Sequence, residues 1–296
     1  IAAAGGHNVI MVGSPGSGKT FMAKCLPSIL PPMTKEESVE TSEIYSIANL
    51  LKGGLIKARP FRAPHHTITI AALVGGGNRC TPGEISLSHN GVLFADEFAE
   101  FDHKVVEVLR QPLENGTIEI SRVRNKYIYP ASFMFVGAMN PCPCGYLFDD
   151  NSKCRCSSSQ ISKYQSKISG PILDRIDIYL KIKQLPLKDI QVASTQESSA
   201  KIAERVLRAR EIQYRRYKNE SFIINSQISQ SKLSTFCRLG AKEEEYLKKI
   251  VEVLNISMRS YTRILKIART IADLNGEQDI KKEHIGMAIQ LRYPEP

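Results

Sequence analysis

Gly13-Ser14-Pro15-Gly16-Ser17-Gly18-Lys19-Thr20 decides the fold of this chain. The eight residues fit G-x-x-x-x-G-K-[ST], in which glycines let successive backbone N–H groups turn inward around phosphate oxygens where a helix begins. Asn8-Val9-Ile10-Met11-Val12 supplies a short buried strand ahead of the turn, and residues 18–30 read as the helix behind it, stopped by Pro31-Pro32. In such a loop Lys19 reaches the β- and γ-phosphates of a nucleotide such as ATP, and Thr20 ligates Mg²⁺. A plain Gly-rich turn would not require a strand on one side and a helix on the other.

A phosphate loop needs a second acidic element. Gly91-Val92-Leu93-Phe94-Ala95-Asp96 reads as a second buried strand ending in carboxylates. Asp96 is placed to hold Mg²⁺ through water, and Glu97 to orient or deprotonate the attacking water. Ser132 to Met139 reads as a third strand ending at Asn140, a polar side chain beside the same site, and Ile176 to Ile182 as a fourth. Residues 103–114 carry a helical pattern. Thr117–Ile120 and Tyr127–Tyr129 flank Ser121–Lys126 as a hairpin with a basic tip. Buried strands alternating with helices predict an α/β fold on a parallel sheet. After Pro186 the pattern is helical nearly to the end. The boundary is expected at Gln184–Pro186, giving a nucleotide-binding core over 1–185 and a helical part over 186–296.

Of 296 residues, 42% are hydrophobic and 24% charged, an ordinary globular balance that excludes wholesale disorder. No apolar run approaches the ~20 residues of a membrane helix, so no membrane partner is expected. Ile1 to His7 carry no Lys or Arg, unlike a signal peptide, and begin without Met, so a preceding segment is expected to be missing. The net charge is +10. The excess sits after residue 180, and residues 201–218 alone hold seven basic and two acidic residues. That pattern fits either a polyanion partner or a solvated helix face.

Cys142-x-Cys144 and Cys154-x-Cys156 form two pairs nine residues apart. Four thiolates so close suit tetrahedral Zn²⁺ in a structural role, with a reduced, metal-free loop as the competing reading. Cys25, Cys80 and Cys237 read as small apolar residues, and the seven cysteines together fit a reducing, cytoplasmic compartment. His65-His66, being adjacent, read as packing or hydrogen-bonding residues rather than metal ligands.

Arg59-Pro60-Phe61-Arg62-Ala63-Pro64-His65-His66, Met139-Asn140-Pro141-Cys142-Pro143-Cys144-Gly145, Ser169–Asp177 and Arg269-Thr270-Ile271-Ala272-Asp273-Leu274 resemble the ComM/YifB family over essentially the whole chain. These are magnesium chelatase-like AAA+ ATPases, related to the chelatase ATPase subunit and to MCM helicases, and they usually carry an additional N-terminal domain similar to one in Lon proteases. The resemblance implies a hexameric ring and a helicase that promotes DNA branch migration. It also implies that Arg175 is an arginine finger and that Arg259 is the sensor-2 residue of a helical lid, with Arg263 the competing choice. Both arginines would serve a neighbour's nucleotide, and residues 188–220 would be the insertion that repositions the lid. DNA contacts are expected at Gly75–Arg79 and at Arg122-Val123-Arg124-Asn125-Lys126, where basic tips suit phosphates without reading bases. The competing function is the ATPase subunit of a metal chelatase, remodelling a protein partner. A further alternative is a nucleotide-binding regulator that hydrolyses little, against which the intact Glu97 argues.

Overall fold

Alternate residues of each predicted strand are apolar on both faces, which demands a sheet covered on both sides. The computed structural model describes residues 1–77, 79–121, 126–149, 154–184 and 197–293, and it has that sheet. Its strands are β1 (Val9–Gly13), β2 (Phe61–Arg62), β5 (Val92–Ala95), β8 (Met134–Met139) and β9 (Ile178–Ile182), all parallel, in the order β2-β5-β8-β1-β9. Two small antiparallel pairs stand apart: β3 (Gly75–Gly76) with β4 (Thr81–Pro82), and β6 (Thr117–Ser121) with β7 (Lys126–Pro130).

The period-2 alternation divides the sheet between two cores. Val9, Met11, Val92, Phe94, Val136 and Ala138 share one with Ile264, Ile267, Ala268 and Ile271 of the C-terminal helices. Ile10, Leu93, Ala95 and Phe135 face the other, against Phe98, Val105, Val106, Leu109 and Ile118. Each of the Val, Leu, Ile, Met and Phe side chains among them, fully buried, contributes about 1.5–3 kcal/mol. The C-terminal helices are continuous with the first core. Helix Lys282–Arg292 contacts β9, and Met258–Leu274 packs on that helix, with Ser199–Arg216 alongside.

Register sets the site. Val12 pairs with Met139, and Ala95 with Gly137, so Gly13, Asp96 and Asn140 leave the sheet at the same end. Asn8, Gly91 and Asp177 enter it at the opposite end.

Local differences from the sequence reading have local causes. The helix expected over 18–30 is Lys19–Cys25, and a 3₁₀ turn, Leu26–Ile29, takes over because Pro27 cannot donate to a continuing helix. The pattern over 103–114 divides into His103–Val108 and Arg110–Asn115 ahead of Pro112. A short helix, Ile70–Val74, is capped by Thr69 ahead of the Gly75–Gly76 strand. The edge strand β2 was not foreseen: two residues carry no period. The expected boundary at Leu185-Pro186, residues 188–196 of the expected insertion, Asn78, and Arg122 to Asn125 of the hairpin tip lie outside the described residues.

Candidate nucleotide-binding site

The turn after β1 is shaped by Gly16 and Gly18, both at positive φ and both facing open space where a Cβ would stand. Gly13, Ser14, Pro15 and Ser17 complete it. Lys19 opens the following helix, and its buried ammonium donates to the carbonyls of Gly13 (2.6 Å) and Ser14 (2.9 Å) and to Ser17 Oγ (3.5 Å). Asn140 Oδ1 accepts from the same ammonium at 3.4 Å, so the residue ending β8 joins the loop. Burial lowers the Lys19 pKa, and the negative charge of Asp96 works in the other direction. Thr20 Oγ1 donates to Asp96 Oδ2 at 2.8 Å. Two hard oxygen donors thus meet at the lip of the loop, the donor set that Mg²⁺ takes.

Glu97 follows at φ 52°, a left-handed conformation uncommon for a side-chain-bearing residue, and its backbone N–H donates to Asp96 Oδ1 (3.0 Å). The Glu97 side chain is 61% exposed. His66 Nδ1 lies 3.2 Å from Glu97 Oε2. His66 was read as a packing or hydrogen-bonding residue without a partner; the fold supplies the Glu97 carboxylate as that partner. Only the Arg59–His66 motif, without a role, hinted at this.

The two arginines sit elsewhere. Asn8 Nδ2 donates to the Arg175 carbonyl (3.2 Å), which fixes Arg175 at the entry end of β1. The loop at the exit end is five residues away, about 16 Å of strand. Arg175 donates to the Pro171 carbonyl (2.7 Å) and pairs with Glu114, not with Asp174 or Asp177. Arg259 is 67% exposed and lies 3.6 Å from Asp174. Arg263 pairs with the buried Asp177, whose carboxylate also accepts from the Asn8 N–H (2.8 Å). Arg263 is therefore a structural cation and Arg259 the available one. Arg59, Arg175, Arg210, Arg259, Arg263 and Lys266 all line a cavity of about 830 Å³ at this entry end.

The cysteines converge. The Cys142, Cys144, Cys154 and Cys156 sulfurs all lie within 4.8 Å of one another. Measured separations are 3.4 Å (142–144), 3.8 Å (142–154) and 3.6 Å (144–154). A tetrahedral ion with Zn–S of about 2.3 Å has sulfurs about 3.8 Å apart. A backbone hydrogen bond from Tyr146 pulls the Cys144 thiol down to about 6.

The basic features are largely engaged. Lys126 pairs with Glu119 (2.8 Å), and Arg122 and Arg124 lie outside the described residues. On Ser199–Arg216, Arg205, Arg208 and Arg215 pair with Glu197, Glu204 and Glu211, while Arg216 holds Asp273. Asp273 also binds Arg269 and Asn225, so the Arg269–Leu274 motif builds a buried polar joint. Among the described residues no helix is long and apolar enough to cross a membrane.

The chain matches the family model described as magnesium chelatase, subunit ChlI, over residues 1–190, and the one described as magnesium chelatase, subunit ChlI C-terminal, over residues 196–292. It is 45% identical over 294 residues to the competence protein ComM of Haemophilus influenzae, covering 99% of this chain and 57% of that protein. Similarity to YifB of Salmonella typhimurium is 42% over 295 residues, with the same coverage of 99% and 57%. The magnesium-chelatase subunit ChlI of Bigelowiella natans is 23% identical over 158 residues, 53% of this chain and 37% of that protein. The chain thus spans little more than half the length of the first two relatives.

Proposed function

Because the chain belongs to the magnesium chelatase-like ComM/YifB family of AAA+ ATPases, we propose that it hydrolyses ATP in a ring of identical subunits, a hexamer, and uses the cycle to move DNA. The observation that carries this reading is the division of the catalytic set. Lys19, Thr20, Asp96, Glu97 and Asn140 gather at the exit end of the sheet, while Arg175 and Arg259 stand at the entry end. One chain then offers two half-sites, and a head-to-tail neighbour completes each.

The backbone of residues 13–18 and Lys19 cradle the phosphates. Thr20 and Asp96 hold Mg²⁺, which when bound neutralises charge on the β- and γ-oxygens. Glu97 takes the proton of the attacking water, and Asn140 orients that water or the γ-phosphate from beside Lys19. The guanidinium of the neighbour's Arg175 meets the charge that develops as the γ-phosphoryl leaves, with Arg259 acting from the neighbour's helical part. Cys142, Cys144, Cys154 and Cys156 would hold Zn²⁺ in a structural role, since four protein thiolates would leave no position for a substrate or water. The free thiols fit a cytoplasmic setting.

DNA as the moved partner draws support from the similarity to a competence protein and from the basic hairpin tip in the sequence. A protein-remodelling role, as in a chelatase, is favoured by the matched family models. ATP turnover measured alone and with single-stranded or forked DNA separates them. Stimulation is expected. Salt-independent indifference to DNA, with ATP turnover intact, would overturn the DNA reading in favour of a protein partner.

A further inference from the structure

The segment between the two cysteine pairs does more than close a loop. It touches the phosphate loop at two points, both in that loop's first half. Gly145, at φ 86°, lies so close to Pro15 that a Cβ would stand 2.6 Å from Pro15 Cδ and 2.8 Å from Cγ. Asp149 Oδ1 accepts from Ser14 Oγ at 2.7 Å. Cys142 is also two residues beyond Asn140, whose amide oxygen meets Lys19. The Pro141 carbonyl between them is held by Gln165 Nε2 at 3.2 Å. Gly16 and Gly18, by contrast, have open space beside them. The phosphate loop is thus braced on its Ser14-Pro15 side by a segment whose own ends are the four sulfurs.

Among the described residues from 140 to 157 there is no helix or strand, and the segment's backbone contributes turn hydrogen bonds, from Gly145 N–H to the Cys142 carbonyl (3.0 Å) and from Asp149 N–H to the Tyr146 carbonyl (3.2 Å). Its conformation needs another tie, and four sulfurs at tetrahedral edge lengths provide one for a soft divalent ion. We propose that the metal-filled four-cysteine centre is the outer brace of the nucleotide site, so that metal occupancy sets nucleotide affinity through Gly145–Pro15 and Asp149–Ser14. This rests on the zinc reading above and adds a function to it. Gly145 and Asp149 are positioning residues: they shape the cradle and do not touch phosphate. A cradle held equally in the ground and transition states changes KM and leaves kcat.

The test uses the whole chain with three measurements: zinc content of the purified protein, affinity for a fluorescent ATP analogue, and the KM and kcat of ATP turnover. Stripping zinc with a chelator is expected to weaken the analogue by about tenfold or more, with affinity restored by Zn²⁺. Asp149→Ala and Gly145→Ala should keep their zinc and raise KM for ATP by about tenfold with kcat retained. A merely structural loop would lower the melting temperature in these variants and leave KM where it was, which overturns the brace. Zinc bound but removable without change in affinity also overturns it while leaving the metal site intact. A protein that takes up no zinc even when reconstituted overturns the metal reading itself. Cys154→Ser is expected to lose both zinc and affinity, and Asp149→Ala keeps the test decisive if that variant fails to fold.

Discussion

Replacing Arg175 with Ala tests directly whether the site is divided between subunits. The Arg175 side chain is 10% exposed and its Glu114 partner 56% exposed, so water screens the pair from the carboxylate side only, and it contributes about 1 kcal/mol. The hydrogen bond to the Pro171 carbonyl adds about 1 kcal/mol. A loss of ~2 kcal/mol lowers the melting temperature by several degrees at most. An arginine that meets the transition state from a neighbour is worth about 10³–10⁵ in rate, or ~4–7 kcal/mol. The expected result is a folded, ATP-binding protein whose turnover falls by at least about a thousandfold. The decisive assay mixes Arg175→Ala with Lys19→Ala protein in equal amounts. In random rings about one interface in four joins an intact Lys19 to a neighbour's intact Arg175, so about a quarter of parent turnover should return. If Arg175 acted within its own chain, every subunit would carry one lesion and nothing would return. Absence of recovery in oligomers confirmed to be mixed, or an Arg175→Ala enzyme within tenfold of the parent, would refute the division of the site between subunits.

Lys19→Ala should abolish ATP binding, because it removes the ammonium from the loop, whereas Glu97→Gln should bind ATP and stop turnover; equilibrium binding and single-turnover kinetics distinguish the two. Arg259→Ala should lose turnover with its fold intact, while Arg263→Ala should unfold early, since it takes the guanidinium from the buried Asp177 carboxylate and leaves only His7 and the Asn8 N–H, at a cost of up to about 3–5 kcal/mol, as melting curves will report. Burial alone would raise the Asp177 pKa, but the charges of Arg263 and His7 and the Asn8 N–H outweigh it and hold the carboxyl below the usual range. Its contribution to stability is therefore full above the unfolded value of about 3.9 and lost as pH falls through the depressed value, so Asp177→Asn should flatten the acid limb of a stability–pH curve. Replacing Arg122, Arg124 and Lys126 together with Ala should weaken DNA binding and its salt dependence while ATP binding holds; unchanged DNA affinity would leave the hairpin a solvated turn.

What the sequence determined by itself was the chemistry that is local to the chain. Gly13–Thr20 is recognised from its own residues, and the Asp96-Glu97 and Asn140 strand ends follow from short apolar runs that stop at a polar residue. The four cysteines were visible because their ligand type is rare and their spacing short. The tertiary structure decided everything that depends on register and on crossing between elements. Parallel pairing of Val12 with Met139 brings Asn140 to Lys19, a contact across 121 residues that no local pattern encodes. The same register sends Arg175 to the far end of β1. Packing gave Arg259 and Arg263, one turn apart on the same helix, different surroundings: Arg263 pairs with the buried Asp177 and Arg259 stays exposed beside Asp174. His66 against Glu97, and Gly145 and Asp149 against the phosphate loop, were equally beyond the sequence. Such contacts arise where loops from different strands leave the same edge of a sheet, and periodicity ends where the loops begin.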